Sequence, residues 1–141
     1  LARISRALRA GGYLILTTPN IASLFRRLRL LLGKQPIYKY HVREYTMDEV
    51  LEMVREASFD VVKAYYSIVN DLTYTDAEPN DYLKISGYRD LIKVAVKRPT
   101  KLNTLRALAY PIVKLIPSLR QLIVIIGVKV REPSVKLFER W

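Results

Sequence analysis

The run Tyr13-Leu14-Ile15-Leu16-Thr17-Thr18, bracketed by Gly11-Gly12 and Pro19-Asn20, constrains the fold more than any other segment. It is apolar on both faces and predicts a short strand in a sheet that is covered on both sides. That is the usual state of parallel strands in α/β proteins. Gly11-Gly12 predicts the stop of a preceding helix, because glycine tolerates the left-handed geometry of a C-terminal cap. Pro19 ends the strand, since it has no N–H to donate to a ladder. An apolar strand of this kind left at an open edge invites aggregation, so neighbours are expected on both sides of it.

The flanking segments supply helices and two further strands. Leu1, Ile4 and Leu8 share a face and predict a helix over 1–10, with Arg3, Arg6 and Arg9 on another face. Ile21, Leu24, Phe25, Leu28, Leu31 and Leu32 predict an amphipathic helix over 21–33, closed by Gly33. Thr46 followed by Glu49 has the form of a capping box, and Val50, Leu51, Val54 and Ala57 give the helix behind it an apolar face. Phe59–Val69 is rich in Val and Tyr and reads as a strand. Residues 70–90 are polar and turn-prone. Residues 91–97 admit helix or strand and are assigned to helix. A stripe from Leu102 to Leu115 predicts a helix kinked near Pro111 and ended by Pro117. Gln121–Val130 contains Leu-Ile-Val-Ile-Ile, a fully buried strand. The alternation argues for an α/β sheet. Three strands are few for a sheet covered on both sides, so some strands of it are expected to be missing. The first residue is Leu1, not Met, which adds to the expectation that the chain is part of a longer product.

Composition narrows the chemistry. The 141 residues include no cysteine, which excludes disulfides and cysteine-ligated metals. His41 is the only histidine, so a His-rich metal site is not expected. The longest charge-free apolar run near the C-terminus, Leu122–Val128, falls far short of the roughly 20 residues that cross a bilayer. A cytoplasmic location is expected. The net charge is +11, from 24 Lys and Arg against 13 Asp and Glu. There is no acid before Glu44; acids then dominate to Asp90, and the chain turns basic again from Leu91. Such surfaces attract phosphates, nucleic acid or anionic lipid, although a solvated Lys/Arg-rich face gives the same pattern.

Leu8-Arg9-Ala10-Gly11-Gly12 followed by Tyr13–Thr18 and Pro19-Asn20 resembles a segment of class I S-adenosylmethionine-dependent methyltransferases. His41-Val42-Arg43-Glu44-Tyr45-Thr46 with the following helix and Phe59 is similar to the segment that comes next in that family. Pro117-Ser118-Leu119-Arg120 leading into Leu122–Lys129 is similar to its closing strand. The resemblance implies the C-terminal part of a Rossmann-like methyltransferase sheet, occupying 1–141, with 70–116 as a helical insertion serving as a lid or acceptor-binding element. It implies that Tyr13–Thr18, Phe59–Val69 and Leu122–Val130 are strands five, six and seven, the last antiparallel and inserted between the other two. Arg9-Ala10 stands where the family has Lys-Pro, and Ser58 where it has Gly. The family's glycine-rich cofactor loop and its acidic residues would lie upstream of Leu1. The implied cofactor, S-adenosylmethionine, is therefore not expected to bind this chain alone. The expected partner is the missing N-terminal half or a chain that supplies it.

Methyl transfer from a sulfonium is a direct displacement, in which the protein aligns the acceptor and excludes water. Ligands of open α/β sheets sit beyond the carboxyl ends of the parallel strands, where Thr18 and Asn20 fall. These two would line an acceptor pocket; alternatively Pro19-Asn20 turns the chain and Asn20 caps the next helix. His41, with an ordinary pKa of about 6.5, could orient or deprotonate an acceptor, or serve a structural hydrogen bond. Tyr38, Tyr40 and Tyr45 could wall a flat or lipid-like acceptor or pack ordinarily. Arg26, with Arg27 and Arg29, could meet a phosphate or form a solvated face. The acceptor class implied is a small molecule, lipid or sugar. The basic 101–116 stretch could cover that acceptor or lie on an anionic membrane. The competing readings are a basic, non-catalytic module for nucleic acid or an anionic surface, and an inactive remnant. No glycine–aromatic motif, zinc spacing or recognition helix is visible, so nucleic acid is not the expected partner.

Overall fold

The computed structural model describes residues 1–36, 43–73 and 85–130. In chain order these form α1 (Ala2–Ala7), β1 (Tyr13–Pro19), α2 (Leu24–Leu31), α3 (Met47–Glu56), β2 (Phe59–Ser67), α4 (Val69–Thr73), α5 (Tyr88–Lys97), α6 (Lys101–Leu115), a 3₁₀ turn (Pro117–Leu119) and β3 (Leu122–Lys129). The chain is mixed α/β. The chain divides into two compact units. The first comprises Leu1–Ile21, Ile37–Tyr65 and Ile123–Trp141; the second comprises Ala22–Pro36 and Tyr66–Leu122.

The three strands form one sheet in the order β1-β3-β2. The Lys129 N–H donates to the Gly12 carbonyl, so the end of β3 lies beside the start of β1. The Val130 N–H donates to the Ser58 carbonyl, which sets the same end of β3 beside the start of β2. The last strand of the chain is therefore central and antiparallel to both neighbours, and β1 and β2 run parallel to each other. The consecutive burial of Ile123, Val124 and Ile125 is what a central strand covered on both faces requires.

The first unit's core joins these three residues to Leu14 of β1, Phe59 of β2 and Val50, Val54 and Ala57 of α3. Gly127 makes the packing possible. A Cβ there would lie 3.2 Å from Phe59 Cβ and 3.6 Å from Val54 Cγ1. β1 departs from expectation. Leu14 is buried, but Tyr13 is 66% and Ile15 70% exposed, so only one face of this strand is covered. It is also an edge strand, with β3 on one side and no further strand beyond it among the described residues. The opposite edge, β2, carries Asp60 and Lys63, charges of the kind that discourage further strand pairing; β1 carries none.

The glycine pair also does something other than the cap expected of it. Helix α1 ends at Ala7, with extended Leu8 as its C-cap. Gly12 N–H donates to Arg9 O, closing a turn whose third residue, Gly11, has φ +79°. That is where a type II turn needs a positive φ. Gly11 N–H donates to Lys129 O while Lys129 N–H donates to Gly12 O. Two residues thus oppose one, a bulge with glycine in the left-handed position. The buried Lys129 ammonium donates to Leu8 O at 2.6 Å, placing a cation at the carbonyl end of α1.

Ser58, with φ +68°, is the one non-glycine residue with a positive φ among those described. It follows the Ala57 C-cap of α3, the position where helices favour glycine. Left-handed geometry costs a non-glycine residue roughly 1–2 kcal/mol, and glycine's greater unfolded freedom offsets part of that gain. Ser58→Gly is expected to stabilise the fold by about 0.5–1 kcal/mol and raise the melting temperature by a few degrees. A lowered melting temperature would show that the serine side chain contributes more than the backbone strain costs.

The second unit is helical. α6 packs on α5, α4 and the 3₁₀ turn. Its core is Leu72, Ile85, Leu91, Tyr110 and Val113, with Leu24 and Ile68 packed against it. Residues 69–73, expected to lie mostly in a turn-prone segment, are helical, and the strand before them stops at Ser67. Helix α6 keeps Pro111 inside its span, and α5 starts earlier than expected, at Tyr88. Helix α2 is shorter than the expected 21–33 and buries none of its residues.

Candidate functional site

The carboxyl end of β1 lies in the first unit. Past Pro19 the chain continues extended to Asn20, which forms a parallel bridge with Tyr45. The Ile21 N–H donates to the Tyr45 carbonyl at 3.0 Å. Thr18 is half-buried and Asn20 fully buried; two residues apart in extended chain, they share a face. Asn20 does not cap the next helix. The N-cap of α2 is Ser23, so that alternative role falls away. Three of the residues singled out from sequence, Thr18, Asn20 and Tyr45, are thus brought to one strand end.

Tyr45 is fixed by the start of α3. Thr46 is the N-cap, and its N–H donates to Glu49 Oε2 at 2.8 Å while the Glu49 N–H donates back to Thr46 Oγ1 at 3.4 Å. The Arg43 guanidinium donates to Glu49 Oε1 at 2.8 Å and lies 5.1 Å from the centre of the Tyr45 ring. The Thr46 backbone hydrogen bond, helped by Arg43, holds the Glu49 carboxyl below its usual range. The partner pattern therefore keeps Glu49 ionised, and Arg43 stays anchored above the tyrosine. Glu44, beside this pair, is buried at 4% exposure. Sequence reading passed over it as the first of a run of acids, and nothing in its neighbours marks it as buried.

His41 and Tyr40, as well as Tyr38, lie outside the described residues. Arg26 belongs to the second unit, where it is half-buried on α2. Its neighbours Arg27 and Arg29 donate through Nε to Ala22 O and Gln35 O, so both guanidinium groups brace the two ends of their own helix.

The second unit holds a buried polar cluster that sequence reading missed. Asp71 Oδ2 accepts from the Gln121 N–H, and its Oδ1 accepts from Gln121 Nε2, both at 3.1 Å. Arg106 Nη1 lies 3.7 Å from Asp71 Oδ1, and both side chains are buried. The Arg106 guanidinium also stacks 4.2 Å from the Phe25 ring centre. Burial pushes the Asp71 carboxyl above its ordinary range, against the downward pull of the Gln121 hydrogen bonds and of Arg106. Arg120 ties the same region together, donating to Val113 O, Lys114 O and Tyr66 O. It thereby satisfies two carbonyls of the last turn of α6. The signal in the sequence was the row Asn103, Arg106, Tyr110, polar positions at helical spacing on the buried side of α6.

Gly11 and Gly12 are the only adjacent glycines, and both their N–H groups are used inside the turn and bulge that open β1. No group of three metal-ligating side chains occurs among the described residues. None of the described helices is long and apolar enough to cross a membrane. The strand end brings together the half-buried Thr18, the fully buried Asn20 and Tyr45, whose ring lies beside the Arg43 guanidinium. No protein-family model matches the chain, and no curated protein matches it.

Proposed function

We propose that the chain is the C-terminal portion of a class I S-adenosylmethionine-dependent methyltransferase domain and contributes the acceptor side of its site. The observation that carries this reading is the strand order. A last strand lying between the two preceding ones and antiparallel to both is what the resemblance led us to expect from sequence, and β1-β3-β2 has that arrangement. The uncharged, half-covered outer edge of β1 supports it as well, because in that fold the same strand has a parallel neighbour on its other side.

In this reading Thr18, Asn20 and Tyr45 bind a small-molecule, lipid or sugar acceptor at the carboxyl end of β1, with Tyr40 as a further binding group. His41 serves as the acceptor-orienting or proton-accepting group. The cofactor is held by a preceding half-domain or partner chain, since the glycines present are committed to the sheet. The test is calorimetry with S-adenosylmethionine, on the chain alone and on the chain combined with the polypeptide encoded directly upstream. No heat of binding is expected from the chain alone, and saturable binding from the combination. Tight binding by the isolated chain, or none by the combination, contradicts the proposal.

A further inference from the structure

We propose that the outward face of α6 docks on an anionic lipid bilayer, an interaction that stands apart from the methyltransferase reading. α6 is a helix of 15 residues that is apolar on two sides. One side, with Ala109, Tyr110 and Val113, is buried in the core of its own unit. The other carries Leu105, Leu108, Ile112 and Leu115, spaced to form a single stripe, with Ile116 following at the cap. Leu108 is 70% and Leu115 82% exposed. A helix apolar on two sides needs cover on both, and the fold of this unit covers one.

Charge identifies the cover. Between Leu91 and Val130 the sequence contains no Asp or Glu. Exposed cations stand at the two ends of α6, Lys101 and Lys114, and Lys97 ends α5; Lys93 on α5 is paired with Asp90 at 3.6 Å and is not counted. Arg106 does not count among them, because its charge is buried beside Asp71. The same unit repeats the combination independently in α2 and the residues after it. There Leu30, Leu31 and Leu32 are exposed, Leu31 at 83%, among Arg27, Arg29 and Lys34, in a stretch of sequence with no acid before Glu44. Exposed leucines in segments with a strong excess of lysine and arginine match a surface that is apolar beneath and negative above. An anionic bilayer interface has that chemistry, with an amphipathic helix lying in its plane and basic side chains reaching the headgroups.

The experiment is flotation of the full chain with vesicles of phosphatidylcholine alone and of phosphatidylcholine mixed with phosphatidylglycerol. The chain is expected to float with the mixed vesicles, to stay unbound with phosphatidylcholine alone, and to release progressively as salt is raised. Burying a leucine contributes enough to change partitioning about tenfold or more, so Leu108→Gln and Leu115→Gln should each weaken binding by that factor. Both positions are exposed, so circular dichroism and melting temperature should match the parent. Absence of binding to the anionic vesicles overturns the proposal. Undiminished binding by the double variant also overturns it, since adsorption would then rest on charge alone. So does a concentration-dependent dimer that the glutamines dissolve without any vesicle binding, which would make a second copy the occupant.

Discussion

Replacing Asp71 by alanine is expected to cost about 3–5 kcal/mol of folding stability, the usual loss when one partner of a buried ion pair is removed. The carboxylate is 2% exposed, accepts two hydrogen bonds from Gln121 and faces Arg106 at 3.7 Å. Alanine leaves the Gln121 donors without their acceptor and removes the carboxylate 3.7 Å from Arg106. Against a typical total of about 5–15 kcal/mol this is a large fraction, readable as a shift of the urea midpoint. Asp71→Asn keeps an oxygen for Gln121 and should lose less. Burial raises the carboxyl's pKa, so the folded form takes up this proton before the unfolded chain does. The group's own contribution therefore moves toward folding as pH falls from the raised value to the ordinary aspartate value of about 3.9. Asp71→Asn should remove that part of the pH dependence. A change under 1 kcal/mol for the alanine variant would mean that the cluster is no more than an exposed pair in its energetics.

Phe59→Ala should have an effect of similar size in the other unit, about 3–5 kcal/mol. Phe59 is 1% exposed, and its Cβ is the atom that a side chain at Gly127 would meet first. Removing the ring opens a cavity between β2, the central strand and α3, a region of tight packing that can collapse only in part. Val62, on the same strand but 60% exposed, provides the comparison; Val62→Ala should stay within about 0.5 kcal/mol. Equal effects at the two positions would show that β2 does not pack as described.

The sequence was most informative where local chemistry and burial agree. The Thr46–Glu49 box, the apolar face of α3 and the buried Leu122–Lys129 strand carry their structure in their own residues. The strand order was reached only through the resemblance, because apolar runs alone do not say which strand lies between the others. Gly11-Gly12 was legible as punctuation but not as a bulge, since that depends on Lys129, far along the chain. Asp71 and Arg106 looked like ordinary polar residues in a turn and a helix, and became a buried pair only through tertiary packing. At the candidate site, Thr18 and Asn20 were found from their place after a strand. The pairing of Asn20 with Tyr45 could not be read from spacing, because it depends on the chain returning to β1 just before α3.

Amide hydrogen exchange on β1 tests the central claim most directly. The Lys129-to-Gly12 bond sets the alternation along the strand, so the N–H groups of Tyr13, Ile15 and Thr17 point away from β3 while those of Leu14 and Leu16 point toward it. If β1 is an interior strand waiting for its outer neighbour, the first three amides exchange rapidly in the chain alone and become protected when the upstream polypeptide is present. Protection of all five in the isolated chain would mean that the sheet is already complete, and the methyltransferase assignment would fail with it.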